Sequence, residues 1–197
     1  MRSKNAYDEY TYWNKRRCPT TRGMSSETTQ KHIDYIKKHV VGAKKVLDFG
    51  PGLGRTFEAY LGVKFVQGVD ISLLYDKQVR DVAKALGINF DLRFITGNDL
   101  PYTDAEFDVA VASSVLLHKQ PQNILEIMKE LVRIAKKVVV ISWQVDNMAF
   151  DKPGVPKPGP DYQFHYSYPD ICKTNGWMME DISRIEDSIC FVYTREK

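Results

Sequence analysis

An acid followed by three alternating glycines is the part of the sequence with the clearest chemical meaning. Asp48 lies in a hydrophobic run, and Gly50, Gly52 and Gly54 follow it in VLDFGPGLG. Glycine leaves the main chain bare and adopts backbone conformations that other residues avoid. Because open α/β sheets bind ligands at the carboxyl ends of their strands, this turn predicts a small molecule that lies directly against the backbone.

The spacing of these glycines disfavours two common nucleotide sites. A dinucleotide-binding turn needs glycine at its first, third and sixth positions, and the sixth residue counted from Gly50 is Arg55. A phosphate-binding loop would end in Gly-Lys-Ser or Gly-Lys-Thr, and this turn does not. The alternative to a ligand site is a structural one, in which the glycines permit close packing between a strand and a helix.

A second acid ends the next hydrophobic run along the chain. Asp70 closes the segment KFVQGVD. A carboxylate can accept hydrogen bonds from two hydroxyl groups of one ligand, and such charge-assisted bonds are stronger than neutral ones. The structural alternative is that Asp70 caps the helix that follows.

Taken together, these motifs resemble the class I S-adenosylmethionine-dependent methyltransferase family. The first motif of that family is an acid, any residue, and then glycines at alternate positions, which the stretch from Asp48 to Gly54 matches. The resemblance covers roughly residues 26–143 and includes VQGVDIS and TGNDLPYTDAEFDVAVASSVLLH. It implies that Asp48 and the glycine turn hold the methionine portion of S-adenosylmethionine, and that Asp70 accepts from the ribose hydroxyls.

The resemblance also implies further contacts with the donor. Pro51 in the turn, Ile71 after the second acid and Ser113 at the end of the fourth strand are predicted to line the donor site, although a small residue such as Ser113 also suits simple packing. The family usually places its adenine-loop acid two or three residues further ahead of the Leu-Pro pair than Asp99 stands. Asn98 and Asp99 are therefore both candidates to accept from the adenine amino group.

Two histidines are candidates for a catalytic base. Methyl transfer is an in-line displacement that depends mainly on alignment of the reacting atoms, and a base matters only when the acceptor arrives uncharged. His118 follows the fourth predicted strand, and His165 ends a proline-rich loop among aromatic residues. Each has a structural alternative, as a histidine bonded to a neighbouring loop or exposed on one. His32 and His39 are predicted to be solvated on the first helix.

The N-terminal segment combines aromatic and cationic residues. In many small-molecule members of the family that the chain resembles, a segment ahead of the first strand folds over the acceptor. The predicted acceptor-binding residues are Tyr10, Trp13, Arg16, Arg17, Tyr162 and Tyr166. Arginines in such a cover favour an anionic acceptor. Ordinary packing of the aromatics beside a solvated basic stretch is the alternative.

The elements that must position these residues follow from periodicity. From residue 26 onward helical and strand patterns alternate, which predicts a sheet covered by helices. Ser26 and Ser72 are predicted caps of two helices, Gly87 stops the second, and Pro121 opens a third. The predicted strands are 46–50, 64–70, 88–97, 107–114 and 136–143, with a closing hairpin turned around Asp187-Ser188. The fold class predicted is α/β: a Rossmann-like doubly wound sheet, mostly parallel, with an antiparallel closing hairpin and helices on both faces.

The chain is predicted to form a single domain, residues 1–197. We divide it into an N-terminal cover segment (1–25), a donor-binding core (26–143), an acceptor loop (144–166) and a final helix with the closing hairpin (167–197). The loop contains four prolines and two glycines. Structureless segments longer than about 15 residues in a compact domain are usually functional or disordered, and the aromatics here favour a functional loop.

Composition narrows the function classes. The formal net charge of +3 is too small to indicate a nucleic-acid partner, and three distant cysteines fit neither a disulfide framework nor a zinc site. Without an apolar signal core or membrane-length segment, the sequence predicts a cytoplasmic protein away from the membrane. The favoured function is a methyltransferase acting on a small molecule, and the arginines of the cover favour an anionic one. The alternatives are an RNA methyltransferase and an S-adenosylmethionine-binding protein without catalysis.

Overall fold

The computed structural model describes residues 9–15, 26–143, 157–158 and 164–195. The helices are α1 (Glu9–Lys15), α2 (Ser26–Val40), α3 (Asp76–Ala85), α4 (Ile124–Ile134) and α5 (Tyr168–Thr174). The strands are β1 (Lys45–Phe49), β2 (Phe65–Asp70), β3 (Phe90–Phe94), β4 (Phe107–Ser113), β5 (Ala135–Trp143), β6 (Lys157–Pro158), β7 (Phe164–His165), β8 (Trp177–Ile185) and β9 (Ser188–Arg195). Two short 3₁₀ helices span Phe57–Tyr60 and Leu116–His118.

Seven of these strands form one sheet in the order β3-β2-β1-β4-β5-β9-β8. The first five are mutually parallel, while β9 pairs antiparallel with both β5 and β8. The predicted Rossmann-like sheet with its antiparallel hairpin is confirmed. The strand order reverses between β1 and β4, and ligands bind at such switch points in open α/β sheets.

Both faces of the sheet are covered by apolar side chains. On one face α2 and α3 pack against alternate residues of β1, β2 and β4 such as Val46 and Val66. On the other face α4 and α5 pack against the intervening residues, which include Leu47. Burial on both faces explains why β4 and β5 are nearly continuous apolar runs. No helix in the described part of the chain is long and apolar enough to cross a membrane.

Helix starts differ from the prediction. Helix α3 begins at Asp76 and not after Ser72: the Ser72 hydroxyl accepts from the Leu74 N–H at 3.2 Å, and residues 74–75 form a turn before the helix. Helix α4 begins at Ile124, after a turn that contains Pro121. Proline and serine mark the neighbourhood of a helix start, whereas the position of the first turn is decided by tertiary contacts.

Strand ends differ as well. Strand β3 is confined to Phe90–Phe94, so it is shorter than the predicted 88–97. The hairpin turn between β8 and β9 is Glu186-Asp187, one residue earlier than predicted, and Glu186 has a positive φ of 52°. A two-residue hairpin loop requires such left-handed conformations.

The prediction that His32 and His39 are solvated is wrong. The His32 side chain is 0% exposed, and neither ring nitrogen has a hydrogen-bond partner in the described structure. His39 is largely buried, with Nε2 3.2 Å from Oδ2 of Asp181 on β8. The closing hairpin covers this side of α2 through contacts between residues far apart in sequence, and helical periodicity does not reveal them.

We expect His32 to make the protein less stable in mild acid. Its pKa is lowered to about 4, chiefly by burial and further by Arg55, while Glu186 acts in the opposite sense. The unfolded chain therefore binds a proton that the folded protein excludes between the ordinary histidine pKa of 6.5 and about 4. The free energy of unfolding should fall by about 3 kcal/mol from this residue as the pH drops through that window.

Urea unfolding of the wild type and His32→Leu, at pH 7.5 and again at pH 4.5, measures this effect. The wild type should lose about 2.5 kcal/mol more than the variant between these two pH values, since leucine has no proton to gain. The buried carboxyl groups titrate in both proteins and cancel in the difference. Equal losses would contradict the assignment.

Candidate donor and acceptor site

A pocket lies at the carboxyl edge of the sheet, where β1, β2 and β4 end. It brings together five residues that the sequence predicted: Trp13, Gly50, Asp70, Ile71 and His118. Its other lining residues were not predicted: Glu9, Phe49, Val69, Ile95, Gly97, Val115 and Lys119. The pocket therefore combines the glycine turn, the second acid, the segment after β3 and the segment after β4 beneath α1.

Asp48 is buried at the end of β1, immediately behind the turn. It is 2% exposed, and its Oδ2 has no hydrogen-bond partner among the described residues. Burial raises the pKa of Asp48 to about 7, and the negative charge of Asp70 acts in the same direction. The neighbouring Tyr60 hydroxyl lowers this pKa in part without reaching hydrogen-bond geometry. A buried carboxylate oxygen thus lacks a donor beside the glycine turn.

The three glycines of the turn are required for different reasons. All three have positive φ, and at Gly50 a Cβ atom would lie 2.5 Å from Cγ2 of Val115. At Gly54 it would lie 3.1 Å from the Phe57 ring, whereas at Gly52 it would meet nothing within 4 Å. Packing therefore accounts for Gly50 and Gly54. Gly52 faces open space, where a ligand can approach the backbone.

Asp70, the second acid, is hydrogen-bonded to the glycine turn. Its Oδ1 accepts from the Ser72 N–H at 2.9 Å, and its Oδ2 accepts from the Gly52 N–H at 3.4 Å. Burial raises the pKa of Asp70, and these main-chain donors lower it in part. The carboxylate is thus held in place by the backbone, with lone pairs left to accept from a ligand.

Helix α1 lies across the pocket. The Trp13 ring packs edge-on against the His118 ring with centroids 4.7 Å apart, and the exposed Tyr10 ring contacts Phe94 at 6.1 Å. The Asn14 side chain donates to the Ile71 carbonyl at 3.1 Å. These contacts hold α1 against the end of β3 and against the segments that follow β2 and β4.

A buried ion pair completes the attachment of α1. Lys119 Nζ lies 2.9 Å from Oε2 of Glu9, and the Gln120 N–H donates to Oε1 of Glu9 at 3.1 Å. The same ammonium lies 5.6 Å from the centroid of the Phe49 ring. Its positive charge also lowers the pKa of Asp70 in part. Sequence reasoning missed Glu9 and Lys119, because no motif spacing indicates that they meet.

Several predicted donor residues lie outside the pocket lining, and Asp48, Gly52 and Gly54 are among them. Asn98 donates from Nδ2 to Oε2 of Glu126 on α4 at 2.9 Å, and Asp99 is exposed. The pocket instead reaches this loop at Gly97. Pro51 lies in the turn, and Ser113 pairs with Ile141 at the end of β4. These residues remain predictions for the donor complex.

The predicted acceptor residues other than Tyr10 and Trp13, together with the candidate base His165, divide into two groups. Tyr166 is buried, and its hydroxyl donates to the carbonyl oxygen of Lys119, so it supports the segment after β4. The other group lies outside the described part of the chain: Arg16, Arg17, Tyr162 and the side chain of His165. The backbone of His165 pairs with Lys157 in the small sheet.

Sequence comparison matches the part of the pocket that lies in the sheet and its loops, and does not include α1. Residues 47–141 match the family model described as "Methyltransferase domain". The match confirms the predicted resemblance to class I S-adenosylmethionine-dependent methyltransferases, and the strand order agrees with it.

Solved structures share the fold of this chain. The PH0226 protein of Pyrococcus horikoshii OT3 has a TM-score of 0.70 at 20% identity, over 97% of this chain and 100% of that one. The 1,6-didemethyltoxoflavin-N1-methyltransferase of Burkholderia thailandensis, with 1,6-didemethyltoxoflavin and S-adenosylhomocysteine bound, has a TM-score of 0.68 at 15% identity. That match covers 86% of this chain and 79% of the other.

One curated relative is more similar in sequence. "Uncharacterized protein MJ1123" of Methanocaldococcus jannaschii is 30% identical over 112 residues, which are 56% of this chain. The match covers 50% of that protein, so this chain spans about half the length of its relative.

Proposed function

We propose that this protein transfers a methyl group from S-adenosylmethionine to a small, anionic acceptor. The observation that carries the proposal is the pocket at the switch point of the sheet, where Asp70 is held against the backbone of Gly52 beneath α1. The fold neighbour from Burkholderia thailandensis, which holds a small molecule and S-adenosylhomocysteine, supports the same use of the fold.

The residues on β1 and β2 fit the donor. The bare backbone at Gly52 leaves room for the methionine portion, and the unpartnered Oδ2 of Asp48 is suited to a cationic amino group, directly or through water. Asp70 would accept from the ribose hydroxyls. When bound, the donor supplies an electrophilic methyl group on a sulfonium, and this chain's residues then have to orient the acceptor and exclude water.

Basic groups at and beside the pocket support an anionic acceptor, although the lining also contains the acids Glu9 and Asp70. Among the described lining residues, Lys119 is the one lysine or arginine, and it lies beside His118. Arg16 and Arg17 follow α1 in the sequence and add basic character to the cover. An acceptor that arrives as an anion needs no base, so positioning by α1 and Lys119 would suffice.

The proposal is tested by turnover. The purified protein is incubated with S-adenosylmethionine and pools of small organic acids, with the corresponding amides as neutral controls, and S-adenosylhomocysteine is measured by mass spectrometry. We expect donor-dependent product with at least one acid pool and not with its amides. Binding of S-adenosylhomocysteine without turnover in any pool would favour a non-catalytic binding protein, and failure to bind it would exclude the methyltransferase function.

His118→Gln separates the two kinds of acceptor. If the acceptor is anionic, kcat should fall less than about tenfold, since glutamine retains hydrogen bonding and no proton has to be removed. A loss of roughly 10²- to 10⁴-fold in kcat with unchanged donor affinity would identify His118 as a base and the acceptor as neutral.

A further inference from the structure

Two donors on the segment after β4 hold a carboxylate inside the pocket. Lys119 Nζ binds one oxygen of Glu9 at 2.9 Å, and the main-chain N–H of Gln120 binds the other at 3.1 Å. We call these two donor groups the carboxylate cradle. Each oxygen of the carboxylate has its own donor, which is the arrangement by which proteins recognise carboxylate ligands.

The cradle belongs to the core, whereas its carboxylate comes from the cover. The Lys119 carbonyl accepts from the buried Tyr166 hydroxyl, and the ammonium lies over the Phe49 ring, so contacts other than Glu9 also position Lys119. Glu9 is the first residue of α1, a helix of seven residues with no buried residue of its own. The cradle can therefore persist without Glu9.

Burial makes the cradle depend on an anion. The Lys119 side chain is 10% exposed and that of Glu9 is 12% exposed. A buried cation that loses its partner is strongly unfavourable, whereas exchange of one carboxylate for another keeps the charge balanced. An entering carboxylate can therefore replace Glu9 with little net electrostatic cost.

We propose that the carboxylate cradle binds a carboxylate of the methyl acceptor, and that Glu9 occupies this subsite when no acceptor is bound. The inference rests on the proposed function, which places the acceptor in the same pocket, and it names the acceptor class as a carboxylic acid. The aromatic rings of Trp13 and Phe49 beside the cradle suit a flat or apolar body attached to that carboxylate.

The test uses benzoate as the probe and benzamide as its uncharged match. Their dissociation constants are measured by ligand-observed NMR titration on the full chain, without donor and with excess S-adenosylhomocysteine. The proteins are the wild type, Glu9→Gln, Lys119→Met and Lys119→Arg, with thermal unfolding as the check on folding. Methionine keeps the apolar stem of lysine, and arginine keeps the charge.

We expect Glu9→Gln to bind benzoate at least tenfold more tightly than the wild type does, with benzamide affinity unchanged. Lys119→Met should show no preference for benzoate over benzamide, and Lys119→Arg should retain it. Equal binding of both probes by Glu9→Gln, or an intact preference in Lys119→Met, would overturn the proposal. So would a lower melting temperature of Glu9→Gln without tighter benzoate binding, which would make the pair a structural latch.

The proposed methyltransferase function and the proposed carboxylate subsite are tested by different measurements. If S-adenosylhomocysteine does not bind any of these folded proteins, the methyltransferase function is wrong. The benzoate preference in the donor-free protein still decides whether the cradle recognises carboxylates.

Discussion

Asp70→Ala is expected to weaken the binding of S-adenosylhomocysteine by about 100-fold or more. Hydrogen bonds to a charged group contribute roughly 1.5–3 kcal/mol each, and this carboxylate is placed to accept from two ribose hydroxyls. The variant also removes the acceptor for the Gly52 and Ser72 N–H groups, so the turn loses its link to β2. Isothermal titration calorimetry of the folded variant measures the loss.

Two further variants make this result specific. Asp70→Asn keeps the size and one acceptor oxygen, so its affinity should lie between those of the wild type and Asp70→Ala. Asp91→Ala removes a carboxylate on the adjacent strand β3 that pairs with Arg80 at the surface, and it should bind normally. Affinity of Asp70→Ala within threefold of the wild type would show that this acid is a structural group and not a ligand.

Gly50→Ala is expected mainly to reduce stability, whereas Gly52→Ala is expected mainly to weaken donor binding. At Gly50 the new Cβ would lie 2.5 Å from Val115 on a backbone with φ of 73°, so the free energy of unfolding should fall by about 3 kcal/mol or more. At Gly52 the Cβ meets no protein atom, so the cost should be about 1 kcal/mol, from the positive φ of 52°. The expected damage at Gly52 is to the donor, with S-adenosylhomocysteine binding weakened at least tenfold.

Urea unfolding and calorimetry on the same preparations separate these effects. Gly87→Ala is the matched control, because this glycine also has a positive φ and open space but lies at the end of α3, away from Asp70 and the glycine turn. It should lose stability as Gly52→Ala does while keeping donor affinity. Normal donor binding by Gly52→Ala would mean that the bare turn serves packing and not a ligand.

The sequence determined the fold class because its signals are local. Apolar runs long enough to be buried on both faces, such as β4 and β5, alternate with segments of helical period, and this pattern admits few arrangements other than a helix-covered parallel sheet. The motif from Asp48 to Gly54 also lies within a single strand and turn, so its spacing is readable without tertiary contacts. These features were enough to predict the family and the edge of the sheet where the site lies.

Only the tertiary structure determined the features of the site and the core that depend on contacts between residues distant in sequence. Glu9 and Lys119 are 110 positions apart, and their pairing follows from the path of α1 across the ends of the strands. The His32 side chain is fully buried in the folded protein, although its position on α2 predicted a solvated side chain. Val115 lies where a Cβ atom of residue 50 would be, so packing requires glycine there. At Gly52 a Cβ atom would meet no protein atom within 4 Å. Sequence spacing reports the period of an element, whereas burial and charge pairing depend on which elements meet in space, and that is determined by packing.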